Sequence, residues 1–139
     1  MRIPRPIYQA MVAHARFEFP NEACGLLAVD GSGELRMCYS LTNADRSPVS
    51  FTVEPTEHFR ALQHAERNGW ELAGVFHSHT HSEAIPSATD RRRALDPDWL
   101  YVLVGPAASE RPEVRAYRIV DGRVTEEPLG VDWADDFDS

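Results

Sequence analysis

The chain has 139 residues, 42% hydrophobic and 26% charged, which suits one globular domain that buries its own core without staples. A formal net charge of −8 excludes a nucleic-acid binder that works through a basic surface. No apolar run approaches the roughly twenty residues that span a bilayer, so no membrane partner is expected.

Met1–Pro6 lacks the apolar core of a signal peptide, and a cytoplasmic location is expected. Pro6 opens a helix over Ile7–Phe19, with Ile7, Met11 and Ala15 on one face and His14 half-exposed. Cys24–Val29 and Leu35–Leu41 read as strands joined by the turn Asp30-Gly31-Ser32-Gly33. Glu22 stands just before the first of these. Cys24 packs as a small apolar residue; sharing a strand face with Glu22, it is also a candidate cleft residue. Cys24 and Cys38 form no C-x-x-C and no disulfide framework.

Phe51-Thr52-Val53 reads as a further short strand. Pro55 starts a second helix with Phe59 and Leu62 inward and Gly69 as its stop; His58 and His64 lie on its surface. Glu71–Phe76 is the central strand, its run Leu72–Phe76 continuously buried. Residues 80–86 form a loop. Ser87–Ala94 is a short helix with Arg91, Arg92 and Arg93 as a solvated face. Leu100–Val104, Val114–Val120 and Arg123–Thr125 finish the sheet, with Asp121-Gly122 as a tight turn. Nothing marks an internal boundary, so residues 1–131 form one domain. Asp132–Ser139 is an acidic segment without helical or strand period, expected to be flexible.

The segment from His77 to Asp90 carries the chemistry. Residues two apart in an extended chain project to one side, so His77 and His79 can grip one ion. Ser87 is a plausible N-cap, which puts Asp90 in the first helical turn as a third donor. Two neutral imidazoles and one carboxylate suit a Zn²⁺ that keeps its fourth position for water. The bland alternative is a pair of surface histidines beside an ordinary cap and first-turn acid. Glu22 tilts the balance, because an acid entering an apolar strand is costly unless it is paired.

Glu22, His77-Ser78-His79, then seven residues, Ser87, two residues and Asp90 resemble the JAMM (MPN-plus) metalloprotease signature without gap or substitution. The helix Ile7–Phe19, the Glu-Ala-Cys-Gly-Leu strand, Thr42–Pro48, Trp99–Val104 and Tyr117–Gly122 extend the resemblance. They are similar to the actinobacterial Mec-type hydrolases, which release cysteine from the C-terminus of a ubiquitin-like sulfur carrier. The resemblance covers roughly residues 1–131. It implies an α/β (α+β) fold of the cytidine-deaminase-like JAB/MPN type, a curved and mainly antiparallel sheet flanked by helices.

It further implies one Zn²⁺ per chain on His77, His79 and Asp90, Glu22 as general base, and Ser87 as donor to the developing oxyanion. The implied partner is a ubiquitin-like sulfur-carrier protein whose Gly-Gly C-terminus carries cysteine. Such a tail can lie as an extended strand beside a sheet edge. Phe51 and Ala84-Ile85-Pro86 are candidate walls of its groove, though Phe51 and Ile85 read equally well as core. His81 would share the face of His77 and His79 in a straight strand and is a candidate substrate contact; Asp90, not His81, holds the family's ligand position. Three alternatives stay open. One is a JAMM isopeptidase or peptidase for another ubiquitin-like carrier or small peptide. Another is a non-catalytic MPN scaffold, which would lack the Glu, the His pair or the Asp. The last is a Cys24–His protease. Oligomeric state has no signal in the sequence.

Overall fold

The computed structural model describes residues 1–132. In chain order the elements are β1 (Arg2–Pro4), α1 (Arg5–Glu18), β2 (Cys24–Val29), β3 (Leu35–Leu41), α2 (Pro55–Arg67), β4 (Glu71–Ser78), α3 (Ala88–Arg93), β5 (Leu100–Gly105), β6 (Glu113–Val120), β7 (Arg123–Glu127) and β8 (Gly130–Asp132). Six strands form one sheet in the order β3-β2-β4-β5-β6-β7. Only β4 and β5 pair in parallel within it, so the sheet is mainly antiparallel, as the resemblance implies.

Both faces of the sheet are covered, which explains the unbroken apolar runs in β2, β4 and β5. One face packs Leu27, Phe76, Val102 and Val104 against Ile7, Met11 and Ala15 of α1. These three are the helix residues spaced to share a face, and all are buried. The other face carries Leu103, Tyr117 and Ile119, with Ala84 of the loop packed on them. Strand alternation sends neighbours to opposite sides, so Val102 and Val104 meet α1 while Leu103 between them faces the other way.

β4 is the central element, hydrogen-bonded to β2 on one side and β5 on the other. It runs two residues past the expected end at Phe76, because His77 pairs with Cys24 and Leu103, and Ser78 pairs with Val104. Among the described residues no helix is long and apolar enough to cross a membrane.

Three expectations are corrected. Phe51–Val53 is not a strand: Val53 makes one isolated bridge to Asn43, and the Thr52 N–H is taken by the Asn43 side chain instead of a ladder. Phe59 faces solvent, and α2 buries Ala61 and Ala65 against the sheet. A helix lying close over a sheet has room there only for small side chains. His64 is half-buried, and its Nδ1 shares a 2.7 Å hydrogen bond with the Tyr39 hydroxyl. The parallel pair β1–β8 was not anticipated; three residues are too few to establish a period. The expected tail 132–139 lies outside the described residues apart from Asp132, which pairs with Pro4 and forms an ion pair with Arg2 at 3.1 Å.

Gly25 is dictated by close packing. A Cβ there would lie 2.1 Å from the Tyr39 carbonyl oxygen and 2.2 Å from the Phe76 ring. Backbone cannot yield as a flexible side chain does, so Gly25→Ala is expected to destabilise the protein by about 3 kcal/mol or more. Urea denaturation checks this, and a loss below about 1 kcal/mol would show that the sheet relaxes around the methyl group.

Candidate metal centre

Three elements converge at the C-terminal end of β4. His77 is the penultimate strand residue, His79 follows it, and Asp90 comes from the first turn of α3. Their ligand atoms all lie within 4.8 Å of one another. His77 Nε2 is 3.2 Å from Asp90 Oδ1, and His79 Nε2 is 3.0 Å from Asp90 Oδ2.

The surroundings fix how these donors point. His79 Nδ1 donates to the Glu83 carbonyl at 2.7 Å; a carbonyl only accepts, so Nδ1 carries the proton and Nε2 is aimed at Asp90. Phe51 stacks on the His77 ring, with centroids 4.4 Å apart and planes at 24°. Ser87 caps α3: its hydroxyl accepts from the Asp90 N–H at 3.1 Å, and the Asp90 carboxylate accepts from the Ser87 N–H at 2.9 Å. This reciprocal capping box holds the Asp90 side chain in place.

Burial and charge act on these groups differently. Burial pushes the His77 imidazole below its ordinary range, against the upward pull of Asp90. Burial also lowers His79, but the Asp90 carboxylate and the Glu83 carbonyl outweigh it and leave His79 raised. Burial would raise Asp90, yet the hydrogen bonds and charges of the two imidazoles hold it well below the usual carboxylate range. His77 Nε2 is wholly buried and has no hydrogen-bond partner of good geometry among the described residues. An orphaned imidazole nitrogen, a second one aimed at the same carboxylate, and hydrogen-bonded outer partners together fit a divalent metal ion.

Glu22 stands beside this trio just before β2. It is buried, and burial pushes its carboxyl up to about 7; the His79 charge opposes that rise and the Asp90 charge adds to it. Its backbone is anchored at both ends: its N–H donates to the Ser47 carbonyl at 2.8 Å, and its carbonyl accepts from Asn43 Nδ2 at 3.0 Å. The next residue, Ala23, is tied to β4 twice. Its N–H donates to Ser78 Oγ at 2.8 Å, and its carbonyl accepts from the Ser78 N–H at 3.0 Å. Ser78, between the two histidines, thus couples the Glu22 segment to the strand that carries them.

A cavity of about 510 Å³ opens next to His77 and Asp90, with Phe51, Pro86, Arg93 and Trp99 among its walls. The other sequence candidates lie apart from it. Cys24 is fully buried, does not line the cavity, and burial pushes its thiol up to about 12, which gives no support to a thiolate nucleophile. Ile85 is 45% exposed and its neighbour Pro86 takes the wall position. His81 is exposed and meets Phe19 edge-on, with centroids 5.5 Å apart. It leaves the face of His77 and His79 because the extended segment ends at Ser78, after which His79 and Thr80 bond back to Ala107 and Ala108.

Sequence reasoning missed Asn43 and Arg93. Asn43 is buried and uses its amide four times: Nδ2 reaches the Glu22 and Ser50 carbonyls, and Oδ1 accepts from Asp45 and Thr52. It thereby organises the loop that presents Phe51. Nothing marks such an Asn among ordinary loop residues. Arg93 is exposed, as expected of a solvated face, but it also borders the cavity and donates to Thr52 Oγ1 at 3.0 Å. Its spacing three residues after Asp90 was a readable signal.

The family model described as prokaryotic homologs of the JAB domain matches residues 4–120. The chain is 44% identical over 126 residues to the CysO-cysteine peptidase of Mycobacterium tuberculosis, covering 90% of this chain and 86% of that protein. It is 33% identical over 103 residues to a desampylase of Haloferax volcanii, covering 70% and 74%. Among solved structures, protein DSY2949 from Desulfitobacterium hafniense superposes with a TM-score of 0.85 at 36% identity, over 95% of this chain and 93% of that one. AF2198 from Archaeoglobus fulgidus, a JAB1/MPN domain protein, shares the fold with a TM-score of 0.62 at 19% identity, over 94% and 98%.

Two measurements test the geometry. Ser78→Ala leaves the buried Ala23 N–H without its acceptor and is expected to cost about 1–3 kcal/mol in urea denaturation. Glu22 has a folded-state pKa above its unfolded value, so in metal-free protein it opposes folding once ionised. The penalty is absent below about pH 4.5, grows as pH rises toward about 7, and is complete above that. The Tm advantage of Glu22→Gln over wild type, both in chelator, should widen across that window and then level off. A pH-independent difference would place Glu22 in water.

Proposed function

The chain belongs to the prokaryotic JAB family and is a peptidase, and from that premise we propose that it hydrolyses the amide joining cysteine to the C-terminal glycine of a ubiquitin-like sulfur-carrier protein. The observation that carries this reading is the His77–His79–Asp90 donor trio beside a buried Glu22, in a chain 44% identical to a CysO-cysteine peptidase over 90% of its length.

One zinc ion per chain, held by His77, His79 and Asp90, would acidify a water molecule and polarise the scissile carbonyl. Glu22 accepts a proton from the attacking water and delivers it to the leaving amine. Burial lifts the Glu22 carboxyl above its ordinary range in the metal-free site, an environment that favours its taking up a proton. Ser87 uses its oxygen to accept the Asp90 N–H, which leaves its own O–H to donate to the developing oxyanion. Phe51 packs on the His77 ring and fixes its plane.

The carrier's Gly-Gly tail enters as an extended segment, and only glycine lets a backbone pass closely beside such a site. The reaction belongs to the cytoplasm and involves no nucleic acid. A second reading, an isopeptidase that removes ubiquitin-like carriers from proteins, draws on the similarity to the Haloferax desampylase.

Mass spectrometry of a carrier ending in Gly-Gly-Cys is expected to show loss of one cysteine in the presence of this protein, abolished by chelator. Glu22→Gln should stop turnover while zinc stays bound, because the base is not a ligand. Ser87→Ala should keep zinc and lower kcat by about 10²–10³. His77→Ala should lose metal and activity together. Loss of zinc from Glu22→Gln, or full activity in Ser87→Ala, would reject the assigned role.

A further inference from the structure

The apolar cavity beside the donor trio contains one guanidinium. Arg93 lies one turn beyond Asp90 on α3, about 4.5 Å further along the helix axis. It stands over the Phe51 ring, its guanidinium carbon 5.8 Å from the centroid, while Phe51 is stacked on His77. Its Nη2 donates to Thr52 Oγ1 at 3.0 Å, and among the described residues no carboxylate forms an ion pair with it. The other charged or titratable groups on the wall are otherwise placed. Asp90 faces the two imidazoles, Asp96 accepts the N–H of Asp98 within its own turn, and His58 projects from α2.

We infer that Arg93 binds the α-carboxylate of the amino acid being released, and so makes the site selective for a single C-terminal residue over an isopeptide-linked lysine. The inference rests on the peptidase reading above. A Gly-Gly tail carries no charge, whereas the leaving amino acid has a carboxylate whose carbon is two bonds from the scissile nitrogen. That carboxylate is the one anion the substrate brings close to the reacting bond, and Arg93 is a cation beside the donor trio with hydrogen-bond donors to spare. A lysine side-chain amine offers no carboxylate at that distance. Leu26, Val75, Trp99 and Tyr101 line the same cavity, and Arg93 stands at its exposed side, where a charge-assisted hydrogen bond to a carboxylate gives the cavity a polar anchor. Arg93 is then a specificity-determining residue, acting on substrate position and not on the proton transfers.

The test uses two carrier adducts, one ending in Gly-Gly-Cys with a free carboxylate and one ending in Gly-Gly-cysteinamide. Zinc-loaded wild type, Arg93→Gln and Arg93→Lys are compared by mass spectrometry. Wild type is expected to prefer the free acid by about 10- to 100-fold in kcat/KM, mainly through KM. Arg93→Gln collapses that ratio toward one, and Arg93→Lys, which keeps the charge, restores part of it. Equal wild-type rates on the two adducts overturn the carboxylate role. So does an Arg93→Gln protein that is uniformly slower with the wild-type ratio intact, since that is what a structural role predicts. In both cases the peptidase reading still stands. Absence of cleavage of either adduct by zinc-loaded wild type overturns the peptidase reading, and this inference with it.

Discussion

The site depends first on the antiparallel pairing of β2 with β4. Cys24 opposite His77 fixes where the two strands meet, so the residues entering β2 lie beside those leaving β4. Ala23 and Ser78 close the ladder by exchanging hydrogen bonds at 2.8 and 3.0 Å. Glu22, one residue further, is then held next to His79 although more than fifty positions separate them in the chain. A slip of one residue would reverse every side chain of β4 and turn both imidazoles toward α1. Gly25 guards that register from within, because only a residue without Cβ fits between the Tyr39 carbonyl and the Phe76 ring.

The buried Glu22 and the half-buried Asp90 are shifted in opposite directions. Asp90 faces two imidazoles and two cap partners, so its charge is favoured despite burial. Glu22 has burial without an equivalent set of donors, and its proton affinity rises to about 7. Two carboxylates with their pKa values driven apart form a common arrangement for a site that needs one fixed anion and one mobile proton. Neither acid would persist in such surroundings for packing alone, since each costs free energy unless its charge is used or paired.

Much of this was legible in the residues. The long elements β2, β3, α1 and β4 announce themselves by period and by continuous burial, and the motif intervals around His77, His79, Ser87 and Asp90 are local. What failed to read was of another kind. The loop 42–53 looks like a strand at Phe51–Val53, yet its hydrogen bonds go to the Asn43 side chain, which propensity does not see. Phe59 reads as an inward anchor of α2, but the spacing of that helix above the sheet admits Ala61 and Ala65 instead. His81 continues the alternation of His77 and His79 on paper, while the chain bends at Thr80 to follow the end of β5. Gly105 permits that bend, since a Cβ there would sit 2.9 Å from the Ser82 carbonyl and 3.2 Å from His79 Cβ. Each failure concerns a contact with residues outside the short run from which the expectation was read.

The bland and the functional readings of Ser87 and Asp90 turn out not to compete. As a plain helix start, Ser87 and Asp90 satisfy each other's backbone N–H groups and stabilise a six-residue helix that could not stand alone. The same reciprocal bonds remove the rotational freedom of the Asp90 carboxylate. Oδ2 is shared between the Ser87 N–H at 2.9 Å and His79 at 3.0 Å, and Oδ1 is left facing His77 at 3.2 Å. A donor oriented by its own helix cap loses little entropy when it engages an ion, which is the condition for a preorganised site. The cap uses the Ser87 hydroxyl oxygen as an acceptor, which leaves its O–H free to donate elsewhere. One local motif therefore orients the Asp90 carboxylate and leaves the Ser87 O–H free to donate, and the short interval between the two residues is set by helix geometry.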